Sequence, residues 1–304
     1  MNIVSVSGGK DSCGLLLLAK EQGIPNLKAV FADTGNEHPI TYEYIDYLIS
    51  ATGIAIQTVK ADFTEDMQRK AQYVNTKWRE QGVPDVICDQ AIDLLKPTGS
   101  PFLDLCLMKG IFPSARRRFC TQALKRDPMF EQVYIPLLDE GISINSWQGV
   151  RAEESRTRAL LPERDLVGCM ANGAEHWNYR PILKWTVEQV FSQHKKHGIK
   201  PNPLYQMGMG RVGCMPCIFC RKNELLQIAT RFPEQIEKVA RWEELMSKMS
   251  KRGKMTFFPT GKGRGDSIWQ AVQWSKTLRG SKQLDQLSIE NANLTCFSNY
   301  GLCE

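Results

Sequence analysis

Residues 2–12 read NIVSVSGGKDS, and this stretch decides the fold. Residues 2–7 predict a short buried strand, and the apolar residues over 11–22 predict the helix that follows it. Gly8 and Gly9 stand at the turn between them. Backbone N–H groups and the dipole at a helix N-terminus favour a bound anion, and glycine lets the backbone approach it closely. We therefore expect an α/β sheet with a phosphate site at its first turn.

The turn also supplies the side chains of a phosphate-binding loop. Lys10 adds a positive charge, and Ser7 and Ser12 add hydroxyl donors. The spacing differs from that of the eight-residue Walker loop, which places its glycines and lysine differently. A strand-to-helix turn whose glycines only reverse the chain is the alternative. The predicted phosphate-binding residues are Ser7, Gly8, Gly9, Lys10, Asp11 and Ser12.

A regular alternation of strands and helices predicts the rest of the sheet. Strands are predicted at 28–32, 54–59, 143–150 and 178–183, and helices at 39–52 and at about 121–131. Strands that alternate with helices of this length form βαβ units. The predicted fold class is therefore α/β, with a doubly wound, mostly parallel sheet.

The C-terminal part has a different pattern. From about residue 186 a helix is followed by a Pro/Gly/Cys-rich loop at 200–220, a long amphipathic helix at 233–251, a Gly/Lys-rich loop at 259–266 and a Trp-bearing helix at 267–277. We expect residues 1–222 to form a nucleotide-binding domain that includes a cysteine cluster. Residues 223–304 are expected to form a helical, Cys-bearing C-terminal extension and tail.

Composition excludes several classes of protein. The 304 residues are 42% hydrophobic and 24% charged, as in soluble globular proteins. The longest apolar run, Leu15–Ala19, is too short to cross a bilayer, and the N-terminus has no signal-peptide pattern. We expect a cytoplasmic protein without membrane contact. The net charge is +6, and residues 241–304 hold ten lysines and arginines against six acidic residues.

Ten cysteines in a chain without an export pattern indicate metal binding, catalysis or burial rather than disulfides. Cys214, Cys217 and Cys220 are separated by two residues each. Three thiols at this spacing can surround one soft metal centre, and the spacing is that of bacterial-type [4Fe–4S] ligation. Structural Zn²⁺ and a reduced, unligated set of thiols are the alternatives.

Several motifs resemble those of one protein family. Residues 7–12, SGGKDS, resemble the PP-loop of the N-type ATP pyrophosphatases, which cleave ATP between the α- and β-phosphates. The segment Asp33–Pro39 is similar to the phosphoadenosine phosphosulfate (PAPS) reductase family. Further motifs of that family are matched in its order by the segments Arg116–Cys120, Gly149–Arg158, Arg180–Thr186, Asn202–Tyr205 and Val212–Cys217. The resemblance covers about residues 2–222.

This resemblance implies ligands and the residues that bind them. It implies ATP with Mg²⁺ at the PP-loop and places Asp33 and Thr34 at the adenosine. Arg151 and Arg156 are implied to bind an anionic group, for which bidentate, permanently charged guanidinium donors are well suited. An N-cap before a proline-started helix is the alternative for the segment Asp33–Pro39. A solvated basic surface is the alternative for the arginines.

One departure from the family pattern narrows the resemblance. The adenylyl sulfate reductases of the family have two adjacent cysteines where this chain has Cys120 followed by Thr121. Cys220 replaces the missing thiol, and the chain then resembles the iron–sulfur sulfurtransferase of bacterial DNA phosphorothioation systems. That resemblance implies a [4Fe–4S] cluster on Cys120, Cys214, Cys217 and Cys220. It also implies a sulfur donor such as a cysteine desulfurase, and it favours DNA as the acceptor, with a tRNA base and a small metabolite as the alternatives.

Three functions are compatible with these motifs. A sulfurtransferase adenylates an acceptor with ATP and inserts sulfur, a PAPS or adenylyl sulfate reductase releases sulfite, and a non-catalytic interaction protein keeps nucleotide and metal for structure. The intact SGGKDS loop favours the first, because the reductases have an altered loop. The predicted catalytic residues are Lys10, on the phosphates, and Cys303, a tail thiol loosely similar in position to the reductases' nucleophile. An ordinary exposed tail is the alternative for Cys303.

Overall fold

The computed structural model of the chain describes residues 1–250, 253–258, 265–277 and Tyr300. Within these residues the strands are β1 (Asn2–Val6), β2 (Leu27–Asp33), β3 (Ile56–Lys60), β4 (Ile144–Trp147), β5 (Arg164–Cys169) and β6 (Glu175–Tyr179). They form one six-stranded sheet in the order β3-β2-β1-β4-β6-β5. Neighbouring strands are parallel except for β5, which runs antiparallel to β6. The predicted α/β fold with a mostly parallel sheet is confirmed.

Helices surround this sheet and extend beyond it. In chain order they are α1 (Lys10–Glu21), α2 (Pro39–Thr52), α3 (Thr64–Tyr73), α4 (Asp85–Leu94), α5 (Pro101–Lys109), α6 (Phe119–Thr121), α7 (Asp127–Met129), α8 (Ile135–Asp139), α9 (Arg156–Ala159), α10 (Val187–Lys196), α11 (Lys222–Arg231), α12 (Pro233–Met249) and α13 (Ile268–Ser275). Five-residue π-helical segments follow α3, α6 and α7, at Val74–Trp78, Gln122–Arg126 and Phe130–Tyr134. No helix in the described ranges combines the length and the apolar character that crossing a bilayer requires.

The order of the strands places a ligand crevice beside β1. The chain builds β2 and β3 on one side of β1 and then returns to add β4 on the other side. Where strand order reverses in this way, the loops at the carboxyl ends of the two central strands diverge and leave a crevice. The turn after β1 and the turn after β4 therefore line the same opening.

Both faces of the sheet are covered. Alternate residues of β1 point to opposite sides: Val4 and Val6 pack with the apolar side of α1 and α2, while Ile3 packs against the helical segment that contains Met129 and Val133. A third apolar cluster lies outside the sheet and joins α3–α5 to α11–α13. In it the ring of Phe102 stacks on that of Trp242 with 5.3 Å between centroids.

The third cluster bears on how the chain is divided. Residues on both sides of the predicted boundary at residue 222 belong to it, so α11–α13 share apolar packing with helices of the N-terminal part. The division into residues 1–222 and 223–304 stays a prediction.

Several element boundaries differ from those predicted, for identifiable reasons. The strand expected at 143–150 ends at Trp147, because the following Gly149 lies against the backbone of Asp11. The strand expected at 178–183 is Glu175–Tyr179, since Pro181 has no N–H for a sheet hydrogen bond. The antiparallel edge strand β5 and the helices α3–α5 were not predicted. The residues 278–299 and 301–304, which include Cys296 and Cys303, lie outside the described part of the chain.

Candidate functional site

The phosphate loop after β1 is held in shape by its own hydrogen bonds. The backbone N–H of Ser7 donates to Ser12 Oγ over 3.0 Å, and Ser12 Oγ donates to the carbonyl of Gly9 over 3.0 Å. Gly8 adopts a left-handed φ of 72°. A β-carbon there would lie 2.8 Å from Cγ2 of Thr41 on α2. The loop backbone is therefore fixed by its own hydrogen bonds, and the close packing against α2 requires glycine at position 8.

Lys10 begins α1 and is covered by aromatic rings. Only 6% of its surface is exposed. Its ammonium lies 5.6 Å from the ring centre of Tyr205 and 5.1 Å from that of Tyr300, and the Lys10 backbone N–H donates to Tyr205 Oη over 2.9 Å. Tyr300 Oη donates to the carbonyl of Gly210 over 2.6 Å. Tyr300, which lies 290 positions away in sequence, was not predicted to contribute to the site.

Asp11 joins the phosphate loop to the turn after β4. Its Oδ2 atom pairs with Lys10 Nζ over 3.1 Å, and its Oδ1 atom accepts from Arg151 Nε over 2.5 Å. Arg151 is 5% exposed and also pairs with Glu153. The structure thus brings Lys10, Asp11 and Arg151 together, and their predicted contacts with phosphate stay predictions. Arg156 begins α9 and is exposed.

Asp33 and Thr34 follow β2 and form a buried turn. Asp33 Oδ1 accepts from the backbone N–H of Gly35 over 2.8 Å and from Tyr42 Oη over 2.7 Å. Thr34 is fully buried, and its hydroxyl donates to the Glu37 carboxylate over 2.8 Å. Both side chains therefore have local partners. Their predicted contact with adenosine stays a prediction.

The thiols of the cysteine loop adjoin this turn. Cys214 Sγ lies 3.3 Å from Thr34 Oγ1 and donates to Glu37 Oε1 over 3.7 Å. Burial raises the pKa of Cys214 to about 12, against the lowering effect of the nearby Lys125. The charge of Cys214 in turn raises the pKa of Lys125. The turn after β2 and the cysteine loop therefore share one buried polar cluster.

Two of the other predicted cluster cysteines lie in the same neighbourhood. Burial, and next to it the charge of Cys217, raises the pKa of Cys120. Cys217 also raises the pKa of Cys214. Cys220 is 5% exposed, and its thiol faces the carbonyl of Arg221 at 3.6 Å.

The donor set suits a soft metal chemically. Across the described ranges, however, no three Cys, His, Asp or Glu side chains are arranged around a common metal position. Three of the four predicted thiols are thus neighbours, and the full four-thiol arrangement stays a prediction.

Two further charged residues of the site were not predicted. Glu37 is 6% exposed and accepts hydrogen bonds from the Thr34 backbone and side chain. Lys238 on α12 donates to Asn36 Oδ1 over 2.9 Å and to the Met215 carbonyl over 3.2 Å, and burial lowers its pKa to about 8. Glu37 lies in the segment Asp33–Pro39 that resembles the family, but the sequence alone does not indicate that its side chain is buried. The sequence does not predict a site role for Lys238, because a lysine on an amphipathic helix normally indicates the solvent-exposed face.

Comparison with known proteins identifies relatives over most of the chain. The sequence profile of the "Phosphoadenosine phosphosulfate reductase domain" matches residues 1–220. A 37.8 kDa protein of Escherichia phage 186, described as uncharacterized, is 45% identical and the alignment covers 100% of this chain and 97% of the relative. A phosphoadenosine 5′-phosphosulfate reductase of Baumannia cicadellinicola is 24% identical over 69% of this chain and 67% of its own. The PAPS reductase structure from Candida auris aligns with 70% of this chain and 80% of its own, with 14% identity and a TM-score of 0.41.

Proposed function

Because the chain belongs to the phosphoadenosine phosphosulfate reductase domain family, we propose that it is a nucleotide-dependent enzyme of sulfur chemistry. It binds ATP with Mg²⁺ at the phosphate loop, adenylates an acceptor and inserts sulfur, with DNA as the acceptor. The observation that supports ATP as the nucleotide is the preformed loop after β1, with Lys10 at the first turn of α1. This loop lines the crevice beside β1, where sheets of this topology bind their ligands.

In this proposal the charges around Asp11 rearrange when phosphate binds. Asp11 pairs with both Lys10 and Arg151. Phosphate oxygens compete with the Asp11 carboxylate for these two cations, because both kinds of oxygen accept charge-assisted hydrogen bonds from lysine and arginine. Lys10, Arg151 and the backbone N–H groups at the start of α1 then stabilise the negative charge that develops on the departing pyrophosphate.

The sulfur step uses a persulfide on a donor such as a cysteine desulfurase. An acceptor oxygen attacks the α-phosphorus of ATP and pyrophosphate leaves. The terminal persulfide sulfur then displaces AMP from the acceptor, and a second thiol reduces the resulting disulfide so that the sulfur stays on the acceptor. Cys303 is proposed to supply this second thiol. It lies outside the described residues.

Loss of Lys10 tests the nucleotide assignment. We expect Lys10→Ala to abolish Mg²⁺–ATP binding measured by calorimetry, and with it any ATP-dependent release of pyrophosphate. Lys248→Ala is the matched control, because Lys248 is an exposed lysine of α12. An unchanged ATP affinity in Lys10→Ala would show that the loop does not bind the phosphates.

A [4Fe–4S] cluster would be held by Cys120, Cys214, Cys217 and Cys220 and would supply electron transfer when bound. We expect anaerobically purified protein to contain about four irons per chain and Cys120→Ser to lose most of them. Cys88→Ser is the control, because Cys88 is a buried cysteine of α4. One equivalent of zinc without iron in the anaerobic protein would refute the cluster and indicate a structural zinc site.

Reduction of PAPS or adenylyl sulfate is the second candidate, and it is equally consistent with the family match. Two reaction mixtures separate the candidates. One contains PAPS or adenylyl sulfate with thioredoxin, and the other contains ATP, a desulfurase, cysteine, a thiol reductant and duplex DNA. We expect ATP-dependent sulfur incorporation in the second mixture. Sulfite from the first, with no incorporation in the second, would assign the reductase activity instead.

A further inference from the structure

Two segments of the chain contain many basic residues and no acidic ones. Residues 105–126 hold six lysines and arginines, and residues 200–223 hold four. Neither segment contains an aspartate or a glutamate, although 33 of the 304 residues are acidic and a stretch of this combined length would hold about five at that frequency. Opposite charges are normally interspersed on a protein surface. These two segments therefore carry positive charge without the acidic residues that normally accompany it.

The two segments meet at one exposed aromatic ring. The guanidinium carbon of Arg118 lies 4.9 Å from the ring centre of Phe219, and that of Arg211 lies 5.9 Å from it. Phe219 is 36% exposed. A guanidinium held against an aromatic face keeps its N–H edge available for other partners. Phe219 thus contacts two exposed arginines from distant parts of the chain.

A tight turn contains three consecutive arginines, and the last of them, Arg118, contacts this ring. The backbone N–H of Ser114 donates to the Arg117 carbonyl over 3.1 Å, and the Arg117 N–H donates back to the Ser114 carbonyl over 3.0 Å. Arg116, Arg117 and Arg118 are all exposed. Within the described part of the chain, no carboxylate lies within ion-pair distance of their guanidinium groups, so their charge is not neutralised locally.

One carboxylate does border the surface. Glu224 Oε1 lies 3.7 Å from Arg211 Nε. Its Oε2 also accepts from the backbone N–H of Arg221 over 3.3 Å, which closes the first turn of α11. Among the described residues, Glu224 supplies the one carboxylate in ion-pair contact with these four arginines, so their net charge remains positive.

We infer that Arg116, Arg117, Arg118, Arg211 and Phe219 form an arginine–phenylalanine strip that binds the phosphodiester backbone of a nucleic acid. Arginine binds phosphate oxygens through paired N–H donors, and arginines held in place lose less freedom on binding. Several cations distributed over two segments match a chain of phosphates better than one nucleotide, whose phosphates are assigned to the loop at Lys10.

The position of the strip relates it to the proposed reaction. Cys120 follows Arg118 by two residues, and Cys217 precedes Phe219 by two. These two thiols are close enough to influence each other electrostatically. A nucleic acid on the strip therefore lies beside the cysteine loop. The inference rests on the proposed function in one respect, because the proposed function makes the bound nucleic acid the sulfur acceptor.

The test measures binding without ATP or a sulfur donor. Fluorescence anisotropy follows a labelled 30-base-pair DNA duplex, and an RNA duplex of the same sequence, between 50 and 200 mM salt. Each phosphate contact contributes about −0.9 to the slope of log K against log salt. We expect the triple variant Arg116→Gln, Arg117→Gln, Arg118→Gln to flatten the slope by about 2 to 3.

A second variant tests Phe219, the aromatic residue of the strip. Phe219→Leu keeps an apolar side chain but removes the aromatic face that orients Arg118 and Arg211. We expect this variant to weaken binding about fivefold to thirtyfold, the range of two exposed cation–π contacts.

A charge-matched control separates the strip from general electrostatics. Arg69→Gln, Lys77→Gln, Lys96→Gln removes the same charge from exposed residues that already pair with neighbouring carboxylates. We expect its slope to stay within about 0.5 of the wild type.

Equal slopes for the two triple variants, or no binding of either duplex by the wild-type protein, would overturn the inference. Tighter binding of the RNA duplex would support the strip and assign it to RNA. Intact DNA binding without ATP-dependent sulfur incorporation would refute the proposed function and leave the strip standing.

Discussion

Three glycines adopt the same left-handed backbone and differ in what a β-carbon would meet, which allows a graded prediction. Their φ angles are 69° at Gly53, 72° at Gly8 and 70° at Gly35. A β-carbon at Gly53 has no atom within 4 Å. At Gly8 it would lie 2.8 Å from the end of the Thr41 side chain, and at Gly35 it would lie 2.5 Å from Cδ of Pro101. We expect substitution by alanine to destabilise the protein in the order Gly53, Gly8, Gly35.

The magnitudes follow from two separate costs. The left-handed conformation alone costs a residue with a β-carbon about 1 kcal/mol, which is the whole expected effect of Gly53→Ala. Overpacking adds about 1–2 kcal/mol for Gly8→Ala, because the side chain of Thr41 can shift in part. Gly35→Ala meets a proline ring and the backbone of Ser100, neither of which can rotate away. Its expected total is about 4 kcal/mol.

Thermal unfolding followed by circular dichroism measures the series. At about 2 °C per kcal/mol, the unfolding midpoint should fall by about 2 °C for Gly53→Ala, 5 °C for Gly8→Ala and 8 °C for Gly35→Ala. Thr41→Ser removes the contacted methyl group, so the double variant Gly8→Ala, Thr41→Ser should be less destabilised than the two single effects added together. Equal midpoints for Gly53→Ala and Gly35→Ala would refute the steric reasoning.

Two further outcomes are expected. Burial lowers the pKa of His194 below 6.5, and its ring contacts the Lys10 carbonyl. Below about pH 6.5 the unfolded state therefore binds more protons than the folded state, and the wild type should lose stability as the pH falls. His194→Gln should lose stability less steeply in urea titrations at pH 7 and pH 5, and parallel curves would contradict this. Phe102→Ala removes a ring that is 2% exposed and stacked on Trp242, and should lower stability by about 3–5 kcal/mol; a loss below about 1 kcal/mol in the same titration would show that the two rings do not stabilise the fold.

Local signals in the sequence predicted part of the structure well. The helix at 39–52 has the predicted bounds, because Pro39 starts it and Gly53 ends it with a left-handed backbone. The strand–turn–helix arrangement around residues 7–12 was likewise predictable, since strand, glycines and helix are consecutive; phosphate binding there stays a prediction. Such elements are determined by neighbours along the chain.

Contacts between distant residues account for what was missed. Tyr205 and Tyr300 cover Lys10 from positions 195 and 290 residues away. Tyr205 lies in a segment that resembles the family, but that resemblance does not indicate which residue its ring contacts, and no local pattern indicates Tyr300. The helix α5 was missed because its apolar residues are buried all round, with no amphipathic periodicity, and its partner Trp242 lies on α12.

The contacts of Lys238 limit where this chain can be recombined with its relatives. The family match ends at residue 220, but Lys238 supplies the donor for Asn36 and for the Met215 carbonyl, both in residues that are at most 4% exposed. Recombination that replaced everything after residue 220 would leave these two acceptors buried without their donor, at a cost of about 1–3 kcal/mol each. The C-terminal helices are therefore expected to be inherited together with the loop after β2, and the end of the family match is a poor junction for a chimeric protein.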